Sequence, residues 1–321
     1  MENIKIDIII PCYNSHATID RCLGSILCQN VLKSCKVTLV RDGGKSYDEV
    51  VKRYSQVMDI QEIGYDENKG PATARNYGMD HTENELIMFV DSDDVLANTF
   101  SVVMLCNEMY SDPANVVCIG TFLEEVAPFV FKTHSKDTSF VHGKMYKRSY
   151  LQKYNIREKD GSRNNEDVGF NLLALLSMDN VTEKVKYSDY VTAYWIYNPN
   201  SVVRRDKENY DRSVSFRGFA ENLQYVFEEL NKQDKGENPN IISEKVTSMQ
   251  RLYLMYGERT AGYPQFKSGN KKAVANFYHK IYKPIEHKVD ELLFNVCYMS
   301  LPFQGDEKQN KKAMKKFFKS L

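Results

Sequence analysis

Chemistry in this chain is suggested first by carboxylates that fall where the backbone has just left an apolar strand. Asp91-Ser92-Asp93-Asp94 follows the run Leu86–Val90, and Asp42 follows Val37–Val40. Three carboxylates within four residues repel one another, and hard divalent cations such as Mg2+ or Mn2+ take oxygen ligands. A cation bridging to phosphates offsets that repulsion, so the pattern predicts a metal-diphosphate site. One Asp alone would read as an N-cap before Val95-Leu96; three behind a buried strand ask for more. A further acidic pair, Glu166-Asp167, opens an apolar helix, where acids are favoured for any helix.

These carboxylates need a scaffold, and the apolar pattern supplies one. Ile4 to Pro11 is a nearly continuous apolar run ended by proline, followed by Asn14-Ser15 as N-cap chemistry for a helix to about Leu27. Val37–Val40 leads through Asp42-Gly43-Gly44 to Ser46-x-x-Glu49, a capping box. Met58–Ile63 reads as a third strand, Gly70–Met79 as a helix opening, and Leu86–Val90 as a fourth strand whose lack of alternation buries both faces. Strand-helix alternation predicts an α/β fold with a mostly parallel, doubly wound sheet. In such sheets ligands bind beyond the carboxyl ends of the strands, which is where Asp42 and Asp91–Asp94 fall. A helix near Asn98–Tyr110, strands at Val116–Ile119 and Pro128–Phe131, and helices at Lys144–Tyr154 and Val168–Ser177 continue the pattern to about Tyr197. Beyond Arg204 the period is helical, at Phe216–Asn231, Ile241–Tyr256, Lys271–Ile281, Val289–Tyr298 and Asn310–Phe318. The chain therefore reads as an α/β domain over 1–204 and a helical acceptor-side or interaction region over 205–321.

Four segments in order resemble the inverting family 2 glycosyltransferases of GT-A fold. They are Ile10-Pro11-Cys12-Tyr13-Asn14, Val40-Arg41-Asp42-Gly43, Asn68-Lys69-Gly70-Pro71-Ala72-Thr73-Ala74-Arg75-Asn76 and Phe89-Val90-Asp91-Ser92-Asp93-Asp94. Each is weak alone; the ordered set over about residues 5–205 is specific. The resemblance implies a nucleotide-diphosphate sugar as donor, a UDP-sugar first, and Mn2+ or Mg2+ as cofactor. It implies that Pro11, Tyr13, Asn14, Asp42, Asn68, Gly70, Arg75 and Asp91 line the nucleotide. Asp42 would accept from the base, Arg75 would lie near the diphosphate with a planar fork suited to it, and Asp91 and Asp93 would hold ribose and metal. Asn165-Glu166-Asp167 resembles the family's Glu-Asp motif, which makes Asp167 the general base and Glu166 a neighbour that orients groups or contacts the acceptor. Arg41 departs from the family, which usually has an Asp there, and bears on the contacts to the donor base.

Other features bound the partners. The seven cysteines form no C-x-x-C pair, which argues against a zinc site and a complete disulfide framework. The first residues lack the layout of a secretion signal, and no run of eighteen apolar residues occurs. A cytoplasmic protein is expected, with Lys308–Leu321 read either as a peripheral membrane contact or as a solvated terminal helix. Net charge is zero, yet residues 1–120 hold 10 Lys+Arg against 18 Asp+Glu and residues 121–321 hold 33 against 25. Basic residues flank the proposed base, among them Lys144, Lys147, Arg148, Arg157, Lys159 and Arg163, then Arg204, Arg205, Lys207 and Arg212. An anionic acceptor is therefore expected, a cell-surface glycan or teichoic-type polyol phosphate first, with hydroxymethylated duplex DNA as the alternative and an inactive sugar-nucleotide binding module as the reading from another class. His134 and His142 read as loop residues before metal ligands, and Tyr194-Trp195-Ile196-Tyr197 as a core strand end before a sugar platform.

Overall fold

A computed structural model describes residues 5–198, 212–262, 266, 269–301 and 307–321. The chain divides into two compact units, residues 1–207 and 208–321. In the first, the elements in order are β1 (Ile6–Cys12), α1 (Ile19–Leu27), β2 (Cys35–Asp42), α2 (Asp48–Tyr54), β3 (Asp59–Tyr65), α3 (Pro71–Asp80), β4 (Leu86–Phe89), β5 (Val95–Leu96), α4 (Ser101–Tyr110), β6 (Asn115–Ala127), β7 (Val130–His134), β8 (Lys144–Lys147), α5 (Arg148–Lys153), α6 (Glu166–Leu176) and β9 (Lys184–Trp195).

The nine strands form one sheet ordered β3-β2-β1-β4-β8-β6-β9-β5, with β7 on β6. The pairs β3-β2, β2-β1 and β1-β4 are parallel, as the apolar runs predict. The other half is mixed: β8 runs antiparallel to β4 and β6, while β9 runs parallel to β6. Ile6, Ile8, Ile9 and Ile10 are fully buried, each such side chain contributing about 1.5–3 kcal/mol relative to exposure. Helix α3 packs on β1 so closely that a Cβ at Gly78 would lie 2.4 Å from Ile9 Cγ2. Asp7, buried inside the first strand, is satisfied by Asn84 N–H (2.8 Å) and Arg148 Nη2 (2.8 Å).

Two local expectations are corrected. Lys144–Lys147 is a strand, with only Arg148–Lys153 helical; it fills the slot between β4 and β6, and pairing partners that distant in sequence override the local helical pattern. The capping box at Ser46 and Glu49 is not formed. Glu62 of β3 accepts from Tyr47 N–H (2.7 Å) and Ser46 Oγ (3.0 Å), while Ser46 Oγ accepts from Asp48 N–H (3.0 Å).

The second unit holds α7 (Arg212–Lys232), α8 (Pro239–Gly262), α9 (Gly269–Phe277), α10 (Glu291–Met299) and α11 (Glu307–Phe318). The apolar stripe of α11 turns inward: Met314 and Phe318 are buried and the Phe317 ring lies 5.0 Å from Tyr253 of α8. Those side chains are therefore spent on the unit's own core and not on a membrane surface. Among the described residues, no helix is long and apolar enough to cross a membrane. Arg204, Arg205 and Lys207 lie outside the described residues.

Candidate functional site

The carboxyl ends of β1, β2 and β4 converge on one edge. Ile9 pairs with Phe89, and Val90 N–H donates to Ile9 O (3.2 Å), so Asp91 emerges beside the Pro11–Asn14 turn. A tight turn, Asp94 N–H to Asp91 O (3.0 Å), then folds the acidic run back on itself. It brings Asp94 next to Asp91 and points both at His142 on the approach to β8, and ligating atoms of these three residues all lie within 4.8 Å of one another. Asp94 Oδ1 accepts from Ile196 N–H (2.8 Å). Its Oδ2 lies 3.3 Å from His142 Nδ1, and that buried oxygen has no hydrogen-bond partner among the described residues.

Electrostatics make this arrangement uncomfortable as it stands. Burial, with Asp91 and Asp93 nearby, pushes the Asp94 carboxyl well above the usual range, and burial pushes His142 down to about 4. A neutral imidazole facing a buried carboxyl oxygen without a hydrogen-bond partner among the described residues is an arrangement that a cation, by displacing the Asp94 proton, would relieve. Two carboxylates and one imidazole suit a divalent transition ion such as Mn2+ better than Mg2+, which prefers oxygen throughout. The residues therefore fit a divalent metal. Asp93, the expected ligand, turns instead to Asn198, whose Nδ2 donates to its Oδ2 (2.9 Å), while its carbonyl accepts from Arg21 Nη2 (2.5 Å). His142 is a loop residue, in the turn before β8, and joins the cluster from there; His134, at the end of β7, bonds Glu124 (2.9 Å) and stays out of it. Trp195 stacks on His142 with ring centroids 5.1 Å apart, so the aromatic strand end walls the cluster.

Arg75, expected near a diphosphate, is buried at the centre of a carboxylate network. Its Nη2 donates to Asp91 Oδ1 (2.8 Å), and its Nη1 donates to Glu158 Oε1 (3.0 Å) and Glu166 Oε1 (3.4 Å). Burial alone would raise the Asp91 carboxyl, but the Arg75 guanidinium outweighs it and holds Asp91 below the usual range. One guanidinium thus ties the end of β4 to the start of α6. Glu158, which no sequence motif marked, is fully buried in this network, and burial pushes its carboxyl up to about 8. The only sequence signal for it is an acid among basic residues in the stretch before Asn165.

Helix α6 opens from Asn165, whose φ of 57° turns the chain sharply into the helix. Glu166 then faces Arg75, and the next residue, Asp167, is half-buried. Asp167 Oδ1 accepts from Val168 N–H (2.9 Å). Burial, with the Glu166 charge beside it, pushes the Asp167 carboxyl up to about 7, the range in which a general base works best near neutral pH.

The residues expected to line a nucleotide lie on a set of turns. Asp42 accepts from Lys69 N–H (2.7 Å) and Gly70 N–H (2.9 Å), so the structure gives it a hold on the loop ahead of α3. A Cβ at Gly43, which has φ 74°, would lie 2.8 Å from Asn68 N, so only glycine lets that loop close over the β2 end. Gly70, at φ 95°, precedes α3, and Asn68 O accepts from Arg163 Nη2 (2.6 Å). Tyr13 is 53% exposed, beside Pro11 and a left-handed Asn14 (φ 53°). Arg41 is held by Glu62 Oε1 (3.0 Å), Tyr65 O (3.0 Å) and Asp66 Oδ1 (3.2 Å), which commits its fork to β3 and the following loop.

Known proteins resemble this chain in sequence and in fold. The chain is 23% identical over 264 residues to a teichoic acid poly(glycerol phosphate) polymerase of Staphylococcus epidermidis, covering 76% of this chain and 35% of that protein. It is 26% identical over 209 residues to the poly(ribitol-phosphate) beta-N-acetylglucosaminyltransferase TarP of Staphylococcus aureus, covering 58% and 62%. The chain thus spans less than two thirds of either relative. Its fold matches a crystal structure of S. aureus TarS 1-349 in complex with UDP-GlcNAc at a TM-score of 0.69 and 16% identity, over 99% of this chain and 91% of that one. This is the GT-A fold, a mixed sheet with flanking helices. The model of glycosyl transferase family 2 matches residues 7–171, just over half of the chain, and with the fold and the ordered motifs it places the protein in that family.

Proposed function

We propose that the protein moves a sugar from a nucleotide-diphosphate sugar, a UDP-sugar first, to a hydroxyl of a polyol-phosphate polymer, with a divalent cation and with inversion at the anomeric carbon. The observation that supports the reading is the buried Arg75 network, which joins Asp91 of the Asp91/Asp94/His142 cluster to Glu166, the neighbour of Asp167. Asp167 takes the proton from the acceptor hydroxyl, whose oxygen forms the new bond to the anomeric carbon. The bond from that carbon to the diphosphate oxygen breaks, and the diphosphate leaves with the electron pair. A divalent cation held by Asp91, Asp94 and His142 would neutralise charge on the departing diphosphate. Pro11, Tyr13, Asn14, Asn68 and Gly70 line the nucleotide, and Asp42 positions the Lys69-Gly70 loop against it.

The acceptor class is supported by the surplus of basic residues after residue 120 and by the polyol-phosphate names of the relatives. The helical unit, 208–321, is the region proposed to face that polymer. Asp167→Asn is the test. Transfer to poly(glycerol phosphate) or poly(ribitol phosphate) should fall at least ~100-fold, with UDP affinity within about 2-fold of wild type in the presence of Mn2+. Loss of UDP binding, or a retained anomeric configuration in the product's NMR spectrum, would contradict the single-displacement reading.

A further inference from the structure

The segment Thr73-Ala74-Arg75-Asn76 does one physical thing in this fold: it grips the loop that leads into α6. Asn76 Nδ2 donates to Glu158 O (2.9 Å) and Asp160 Oδ1 (2.9 Å), and Glu158 N–H donates back to Asn76 Oδ1 (3.0 Å). Thr73 Oγ1 accepts from Gly161 N–H (3.0 Å). This grip fixes the backbone of Glu158 and delivers its side chain to Arg75 Nη1 at 3.0 Å. The same nitrogen is only loosely shared with Glu166, at 3.4 Å. Glu158 is therefore the nearer partner on that side of the fork, opposite Asp91 on the other.

We propose that Glu158 is a positioning residue: by holding Arg75 Nη1 it fixes the plane of the guanidinium, and through it sets Asp91 in the metal cluster and Glu166 beside Asp167 at once. The inference rests on the metal and transfer roles proposed above. A guanidinium is planar and its donors are fixed relative to one another, so moving one nitrogen moves the other. Without Glu158, Nη1 is drawn to Glu166, and Nη2 turns away from Asp91. The donor side and the acceptor side should then fail together, which a residue serving only one side would not cause.

The test uses the whole chain with MnCl2 and UDP as probes. Trp195 is the only tryptophan and stacks on His142, so paramagnetic quenching of its fluorescence reads Mn2+ binding without turnover. Glu158→Leu keeps an apolar side chain of similar bulk and removes the acceptor. It should weaken Mn2+ affinity and lower kcat, each ~10–100-fold, the usual scale for groups that orient metal ligands. Glu158→Gln keeps an acceptor for Nη1 and should stay within about 3-fold on both. If the leucine variant does not fold, Glu158→Asp, which withdraws the carboxylate by one methylene, should give about a 10-fold loss in both readouts. A folded leucine or aspartate variant with wild-type Mn2+ affinity and kcat would overturn the proposal, as would a loss confined to melting temperature. Absence of quenching in the wild type would instead sink the metal reading, and Glu158 would then stand or fall on kcat alone.

Discussion

Arg75 is the position at which the reading is most exposed to test, because one side chain is asked to stabilise three carboxylates. Arg75→Met preserves much of the side-chain length and removes the charge, leaving Asp91, Glu158 and Glu166 facing one another in a buried space. Removing one partner of a buried ion pair costs about 3–5 kcal/mol, because the remaining charge is neither solvated nor compensated. For a unit of this size, residues 1–207, each kcal/mol moves the midpoint by about 2–4 °C, so the melting temperature at pH 8 should fall by about 6–20 °C. The loss should depend on pH, and its sign follows from Glu158. Its folded carboxyl sits at about 8, above the ordinary carboxylate value, so the folded state binds more protons than the unfolded one and stability falls as pH rises. Arg75 lowers that value, so its removal pushes Glu158 further up. The added cost is then greatest at pH 8 and is relieved by protonation as the pH falls toward 6. Differential scanning calorimetry of wild type and variant at both pH values measures this directly. A variant that melts within about 2 °C of wild type at pH 8, or one equally destabilised at pH 6 and pH 8, would refute the buried-network account.

His142→Ala should weaken Mn2+ binding about 10–100-fold, read by Trp195 quenching in the presence of UDP; Asp94→Asn should do the same, whereas unchanged affinity in both would remove the cluster as a metal site. With Asp167 at about 7 and the base active only when deprotonated, kcat/KM for the acceptor should rise with pH through about 7 and level off above it, and a flat profile between pH 6 and 8 would argue for another base. Gly78→Ala should destabilise the fold by about 1–3 kcal/mol, since its Cβ would meet Ile9 Cγ2 at 2.4 Å; chemical denaturation gives the number, and a neutral result would mean that α3 can lift from β1 freely. Acceptor binding should weaken steeply between low and near-physiological salt, while UDP binding in the presence of Mn2+ should change much less. Equal responses of the two would count against a polyanionic acceptor.

The parallel half of the sheet was legible in the sequence because three of its four strands, β1, β2 and β4, are largely buried on both faces, which writes itself as an apolar run such as Ile8-Ile9-Ile10 or Leu86–Phe89. The placing of acids beyond those runs was legible for the same reason, and so was Asp167 at a helix start. The mixed half was not. Lys144–Lys147 became a strand only because β4 and β6 leave a slot between them, and pairing with partners that distant leaves no local mark. The Asp91/Asp94/His142 cluster shows the same limit: spacing named Asp91 and Asp93, but the turn from Asp91 to Asp94 brings Asp94 beside Asp91, and His142 joins from a segment nearly fifty residues away. Glu158 was invisible for a related reason. Nothing in a single acid among basic neighbours reveals a charge buried on Arg75, because burial and partner are both properties of the folded chain. The sequence alone settled which residue types arrive at the strand ends and in what order; the tertiary structure decided which of them touch, because that depends on turns, on strand slots and on a guanidinium whose two ends reach elements far apart in the chain.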